Sequence, residues 1–177
     1  FDHAVASDDD WLWRVTWHKG VGYGVIYQAN KSPWGLHLVS TRDGINYDLI
    51  KSLSLKGKPN ESTIRFDSSD QMHIVVRNED ARKMGHWGRG NPPYDELNWN
   101  PIKKQLGGPN IVQLPDGSWI LGTREYGNSL TTVLGHLSTT GKFKKLLTLP
   151  SGGDTSYPGM VVHHGKLWVS YYSGHQG

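Results

Sequence analysis

Two arginines, Arg77 and Arg124, hold the same place in a repeated hairpin of this chain, and the strands that open two of the repeats carry Glu61 and Tyr157. A guanidinium presents a planar fork of N–H donors that matches a carboxylate bidentately and keeps its charge at any working pH. Two such forks in one pocket would make it locally positive and suited to an acidic sugar, with a carboxylate and a phenol alongside. Residues so far apart in sequence meet only if the fold brings equivalent positions of successive repeats together. On unrelated hairpins the same four would be surface groups.

The repeat itself is the reason to expect convergence. Residues 60–66 turn through Ser69-Asp70 and return as 72–77, and 109–114 turn at Asp116-Gly117 and return as 119–124. Residues 157–162 turn at Gly165 and return as 167–172, and a more degenerate copy, 13–17, turns at Lys19-Gly20 and leaves through 24–27. The turn residues 20, 70, 117 and 165 lie 50, 47 and 48 positions apart. Each unit pairs strands of β-branched and aromatic residues about an Asp-Gly-like turn. Such a period in an all-β chain predicts propeller blades of four strands each. The expectation is a partial β-propeller, one domain over residues 1–177 with about four blades, the hairpins that begin near 13, 61, 109 and 157 lying innermost.

Between the hairpins lie outer strands. Residues 35–40 precede Thr41-Arg42-Asp43-Gly44-Ile45-Asn46-Tyr47, where Ser40, Asp43 and the aromatic fit an Asp-box turn, so Asp43 is read as structural. Residues 85–99, rich in Gly, Pro and aromatics and containing Tyr94, read as a long inter-strand loop of the kind that lines sites. Residues 134–137 and 141–144 read as a further outer hairpin, and no segment has sustained helical periodicity.

Composition narrows the class. Charged residues are 20% and hydrophobic ones 36%, a globular balance. Eight Trp, eight Tyr and 22 Gly suit many short strands with tight turns. The absence of Cys excludes disulfides and thiolate metal sites. A net charge of +3 with scattered Lys and Arg argues against a nucleic-acid partner. No apolar run approaches the ~18 residues of a membrane span, and no signal peptide is visible in a sequence that opens at Phe1-Asp2-His3 without a Met. Nine His without a spacing such as His-Glu-x-x-His predict no catalytic metal, and nothing predicts a cofactor.

Further residues bear on a pocket. His18 and Tyr23, in Trp17-His18-Lys19-Gly20 and Gly22-Tyr23-Gly24, read as a rim element that touches substrate, with a backbone-bonded turn histidine as the alternative. Arg14 is a pocket cation or a strand-end charge. Arg65, four residues after Glu61, faces the same side by strand alternation and would pair with it or cap a blade edge. Asp8, Asp9 and Asp10 read as a solvated acidic loop, and His163-His164 as an exposed turn.

Several of these strings resemble the sialidase-like propellers, in particular the bacterial exo-α-sialidase or BNR-repeat proteins. They are Asn60-Glu61 with Arg77, Gly107-Gly108-Pro109-Asn110 leading to Arg124, Leu149 through Gly159 with its Asp154-Thr155-Ser156-Tyr157-Pro158, and Trp168-Val169-Ser170-Tyr171-Tyr172-Ser173. The resemblance covers essentially the whole chain. It implies a six-bladed ring, of which about four blades are here. It also implies an arginine triad for the sugar carboxylate, a nucleophilic Tyr activated by a Glu, and an Asp acid. Carried over, Glu61 is the activating Glu, Tyr157 the nucleophile, and Arg77 and Arg124 are two triad members, with Asn110 beside the substrate. The first triad arginine, the acid Asp and a last strand match nothing in this sequence, so the rest of the propeller is an expected partner.

The first reading is therefore a secreted, extracellular or periplasmic, retaining glycoside hydrolase acting on a terminal acidic sugar of a glycan. A phenol whose pKa is ordinarily near 10 needs a base to become a nucleophile, and Tyr avoids repulsion with an anionic substrate, a departure from the usual two-carboxylate scheme. Two alternatives stay open. One is a polysaccharide lyase, with His18 and Tyr23 removing the C5 proton of a uronate. The other is a non-catalytic glycan-binding propeller.

Overall fold

The computed structural model describes residues 9–29, 32 and 34–174; Asp8 and residues 175–177 lie outside them. Among the described residues every regular element is a strand. The first antiparallel sheet holds β1 (Asp10–His18), β2 (Val21–Gln28), β3 (Gly35–Thr41) and β4 (Asp48–Ser52) in sequence order. The second holds β5 (Pro59–Phe66), β6 (Met72–Asn78), β7 (Gly85–Gly90) and β8 (Asn98–Ile102). The third holds β9 (Asn110–Gln113), β10 (Trp119–Glu125), β11 (Thr131–Leu137) and β12 (Phe143–Leu149), and the fourth pairs β13 (Thr155–His163) with β14 (Lys166–Ser173). Three units thus have the four strands expected of a blade, and the fourth shows two among the described residues.

The hairpin turns follow from their residues. Between β1 and β2, Lys19 and Gly20 take φ of 48° and 77°; between β13 and β14, His164 and Gly165 take 47° and 71°. Two consecutive left-handed residues are what a two-residue turn needs to match strand twist. Asp70 and Gly117, at φ 63° and 83°, mark the two intervening hairpins.

Apolar layers fill the spaces between sheets. Val25, Leu36 and Leu38 meet Ile64, Met72, Ile74 and Val76. On the other face of the second sheet, Val75, Trp87 and Ile102 meet Ile111, Trp119, Leu121 and Leu137. Neighbouring residues of β6 therefore serve opposite layers, so the strand reads as a continuous apolar run. Ile120 and Leu134 then meet Met160 of the fourth unit.

The first strands of the units are innermost and bound in series. Thr16 donates to the Ile64 carbonyl at 2.9 Å, Thr63 to Asn110 Oδ1 at 3.1 Å, and Asn110 Nδ2 to the Pro158 carbonyl at 2.8 Å. β1, β5, β9 and β13 thereby line one axis.

Two local expectations need correction. Residues 85–99 are not one loop: β7 and β8 occupy both ends. The glycines of β7 serve packing, since a Cβ on Gly88 would stand 2.7 Å from the Trp99 ring. In the 41–47 turn it is Thr41, not Ser40, that braces Asp43. Its hydroxyl accepts the Gly44 N–H at 2.9 Å, and Asp43 accepts the N–H groups of Ile45 and Asn46 at 2.8 Å each. Those bonds, Asn46 first, hold the Asp43 carboxyl well below the usual range, which fits a structural role.

Candidate active site

Register breaks at the same place in three inner strands: between Leu12 and Val15 in β1, Pro59 and Ser62 in β5, and Ser156 and Gly159 in β13. The residues within these bulges are Trp13-Arg14, Asn60-Glu61 and Tyr157-Pro158. A bulge leaves an extra residue unpaired and re-aims its side chain. Here three bulges at one end of the axis turn their side chains toward one another. Tyr157 adopts φ 54° although it is not glycine and precedes proline, a conformation costing about 1–3 kcal/mol that only surrounding contacts maintain.

Those contacts centre on Glu61, which is 7% exposed. Its Oε1 accepts the Tyr157 hydroxyl at 2.8 Å. Its Oε2 accepts Arg77 Nη1 and the Gly108 N–H, both at 2.8 Å. Gly108 sits at φ 53°, and a Cβ there would lie 2.4 Å from Tyr157 Cδ1, so the approach requires glycine. The Tyr157 ring packs on Trp13, centroids 5.4 Å apart, and stacks on Tyr172 at 5.8 Å.

Arg77 and Arg124 lie at this end of the axis, and the charges of both act on the Tyr157 phenol. Each already holds protein carboxylates. Arg77 is paired with Glu61 and with Glu79, its Nε donating at 2.6 Å to the latter. Arg124 donates through Nε to the Thr155 carbonyl at 2.9 Å and through Nη2 to Tyr172 Oη at 2.6 Å, and pairs with Asp154 at 3.0 Å. Tyr126 lies between them, acting on Arg77 and carrying the Arg124 guanidinium 6.0 Å from its ring.

Electrostatics follow from this packing. Burial, then the hydrogen bond to Glu61 and the charge of Glu61, push the Tyr157 phenol up to about 12, against the opposing pull of both arginines. The resting phenol is neutral and aims its proton at Glu61. Burial lowers the pKa of Arg14, while the charges of Glu61 and Tyr157 raise it. Arg65 is lowered by burial and by the adjacent Arg14. Two neighbouring guanidiniums in a partly desolvated corner leave a positive potential beside the Glu61–Tyr157 pair.

Other residues expected at a pocket lie elsewhere. His18, Tyr23 and Tyr94 gather with Phe66 at the opposite, hairpin-turn end. The His18 ring stacks on Phe66 at 4.0 Å and bonds Asp70 at 3.1 Å, and the Tyr94 hydroxyl donates to the Asp70 carbonyl at 3.0 Å. Tyr23 packs edge-on to Tyr94 at 5.4 Å. Along β1, His18 stands four residues beyond Arg14, ~13 Å at strand rise. These three do not join the Tyr157 centre, since a strand running parallel to the axis delivers its two ends to opposite faces. Asn110 is 1% exposed and spent on Thr63, Arg65 and Pro158, so it ties inner strands together rather than facing a pocket. Arg65 bonds Asn110 at 3.0 Å instead of Glu61, because the bulge at Asn60-Glu61 breaks the alternation that would have paired them.

The centre also contains Trp13, Tyr27, Gly108, Asp154 and Tyr172, to which the sequence assigns no site role. One signal was available for two of them. Tyr27, Arg77, Arg124 and Tyr172 each follow their unit's turn residue by seven positions. Tyr27 feels the charges of Glu61 and Arg77, and the Tyr172 hydroxyl donates to Asp154. The N–H of Gly108 had no side-chain signal at all.

Fold and site together define an all-β, propeller-type chain with a phenol–carboxylate–guanidinium centre at one end of its axis. Known structures agree on the fold. The chain is similar to a protein of unknown function from Dyadobacter fermentans DSM 18053, with a TM-score of 0.79 and 17% identity, covering 93% of this chain and 50% of that one. It is also similar to an endo-arabinase from Bacteroides thetaiotaomicron (TM-score 0.70, 12% identity, 94% and 73% covered) and to the Bacteroides ovatus xyloglucan PUL GH43B (0.65, 17%, 91% and 34%). The chain thus spans about half, three quarters and a third of these three. At 17% identity or less these likenesses show a propeller fold and nothing of sialidases specifically. No family model matches the sequence, and neither does any curated protein.

Proposed function

We propose that this chain carries the nucleophile and base of a sialidase-type, retaining glycoside hydrolase that acts on a terminal acidic sugar of a glycan. The observation that carries the reading is the Tyr157 hydroxyl 2.8 Å from a buried Glu61, held there by a strained backbone. In this mechanism Tyr157 Oη attacks the anomeric carbon while Glu61 takes the phenol proton, so no free phenolate is required. The bond to the leaving oxygen breaks, and a general acid outside these residues protonates that oxygen. Water then cleaves the tyrosyl–sugar bond, with retention. On this reading the chain supplies four units of a six-bladed, secreted propeller.

The substrate carboxylate goes to Arg14. Arg77 and Arg124 are occupied by Glu61, Glu79 and Asp154, and set the position and charge of the centre. Arg14 carries a desolvated positive charge beside Tyr157, favourable for an anion once one binds. The lyase reading loses its support, because His18 and Tyr23 stand at the other end of the strands. The enzyme reading is tested with a fluorinated sialic acid that traps a covalent intermediate. Mass spectrometry is expected to find the label on Tyr157, and Tyr157→Phe to lose turnover while still binding an unreactive analogue. A label elsewhere, or full turnover in the Phe variant, overturns it.

A further inference from the structure

Trp11 is 58% exposed, yet it does not face an open side of the ring. It pairs directly with Tyr27 across β1 and β2, and the two rings stack with centroids 6.2 Å apart and 16° between planes. Side chains opposite each other in an antiparallel pair share a face. Tyr27 packs with Val25 and Leu36 in the layer between the first and second sheets. Trp11 therefore stands on that same inward face, beyond the end of the layer and above the site. Trp17 is similarly exposed, at 53%, but packs by the backbone of Gly22 and Gly44 on the sheet's other face.

This ledge stands at the site end of the first unit: Trp13, two residues beyond Trp11 on β1, packs on Tyr157 at 5.4 Å, and Tyr27 follows its turn by seven positions as Arg77 and Arg124 do. On the far side, Tyr172, 40% exposed, stacks on Tyr157. Exposed aromatic rings thus reach this end of the axis from the first unit and from the fourth. An exposed indole backed by a second ring is a rigid, flat, apolar surface with little conformational entropy to lose. The C–H face of a pyranose matches such a surface, whereas an anionic group does not.

We propose that Trp11, backed by Tyr27, is a second sugar subsite, and that the substrate is an oligosaccharide whose neighbouring residue stacks on this indole. The inference rests on the glycan reading above but not on its acidic-sugar part. Binding is measured by calorimetry on the wild-type chain and on Trp11→Ala, Trp11→Phe and Trp17→Ala, with N-acetylneuraminic acid, 3′-sialyllactose, xylose and xylotriose as probes. The longer member of one pair is expected to bind the wild type roughly tenfold more tightly than the shorter, the scale of one aromatic stacking contact. Trp11→Ala should abolish that advantage, Trp11→Phe should restore part of it, and Trp17→Ala should leave it intact. If only the xylose pair shows the effect, the subsite stands and the acidic-sugar reading falls. If no oligosaccharide gains affinity through Trp11, or if Trp11→Ala weakens long and short probes equally, the subsite is overturned.

Discussion

Replacing Asn110 by Ala separates a scaffold role from a substrate role. The side chain is fully buried and ties β9 to two other inner strands: it donates to the Pro158 carbonyl at 2.8 Å and accepts from Thr63 at 3.1 Å and from Arg65 at 3.0 Å. Each neutral bond contributes about 1 kcal/mol net and the one from the guanidinium about 1.5–3. Thr63, 1% exposed, would also be left without its acceptor. Because Oδ1 serves two donors and Arg65 is only partly buried, the combined loss is roughly 3–4 kcal/mol, a large share of a typical ~5–15 kcal/mol. Urea unfolding should show the midpoint falling by that amount divided by an unchanged slope. A loss below about 1 kcal/mol in the Ala variant would refute the claim that this residue joins the inner strands.

Gly108→Ala places a Cβ 2.4 Å from the Tyr157 ring at a left-handed φ. It should displace the phenol from Glu61 and reduce turnover by about 100-fold or more, although Gly108 has no side chain to meet substrate; unchanged turnover would show that the Tyr157–Glu61 bond is dispensable. Burial lowers the pKa of His73 against the opposing bond to Asp67, and burial also lowers that of His86. The unfolded chain therefore takes up these protons first as pH falls below about 6.5, so stability present above that pH is lost on acidification. The urea midpoint should drop between about pH 7 and pH 5, and His73→Gln should flatten the drop.

Much of the architecture is legible in the residues alone. Strand period, β-branched composition and left-handed turn residues are local properties, so the hairpins at Lys19-Gly20, Asp70, Gly117 and His164-Gly165 could be placed from sequence. The equivalence of Arg77 and Arg124 follows from counting, and so does that of Tyr27 and Tyr172. Counting sets where along a strand a residue falls, and hence which end of the axis it reaches. His18 and Tyr23 stand two residues before and three after Gly20, so the same count puts them at the turn end of their strands.

What the sequence leaves undecided depends on partners brought from other units. Whether an arginine is free for a ligand depends on its neighbours in the fold: Glu61 and Glu79 pair with Arg77, and Asp154, preceding the strands of the fourth unit, pairs with Arg124. The bulges at Trp13-Arg14, Asn60-Glu61 and Tyr157-Pro158 break the two-residue alternation from which facing is read, so Arg65 turned to Asn110 and Glu61 to Tyr157. The Gly108 N–H that completes the carboxylate's bonding is a backbone group every residue but proline has. Sequence by itself determines the strands, their turns and the residue types each unit brings to one end of the axis. Tertiary structure alone decides which of those groups bond one another, because hydrogen bonds such as Gly108 N–H to Glu61 and Tyr157 to Glu61 depend on distances between chain segments 47 and 96 residues apart.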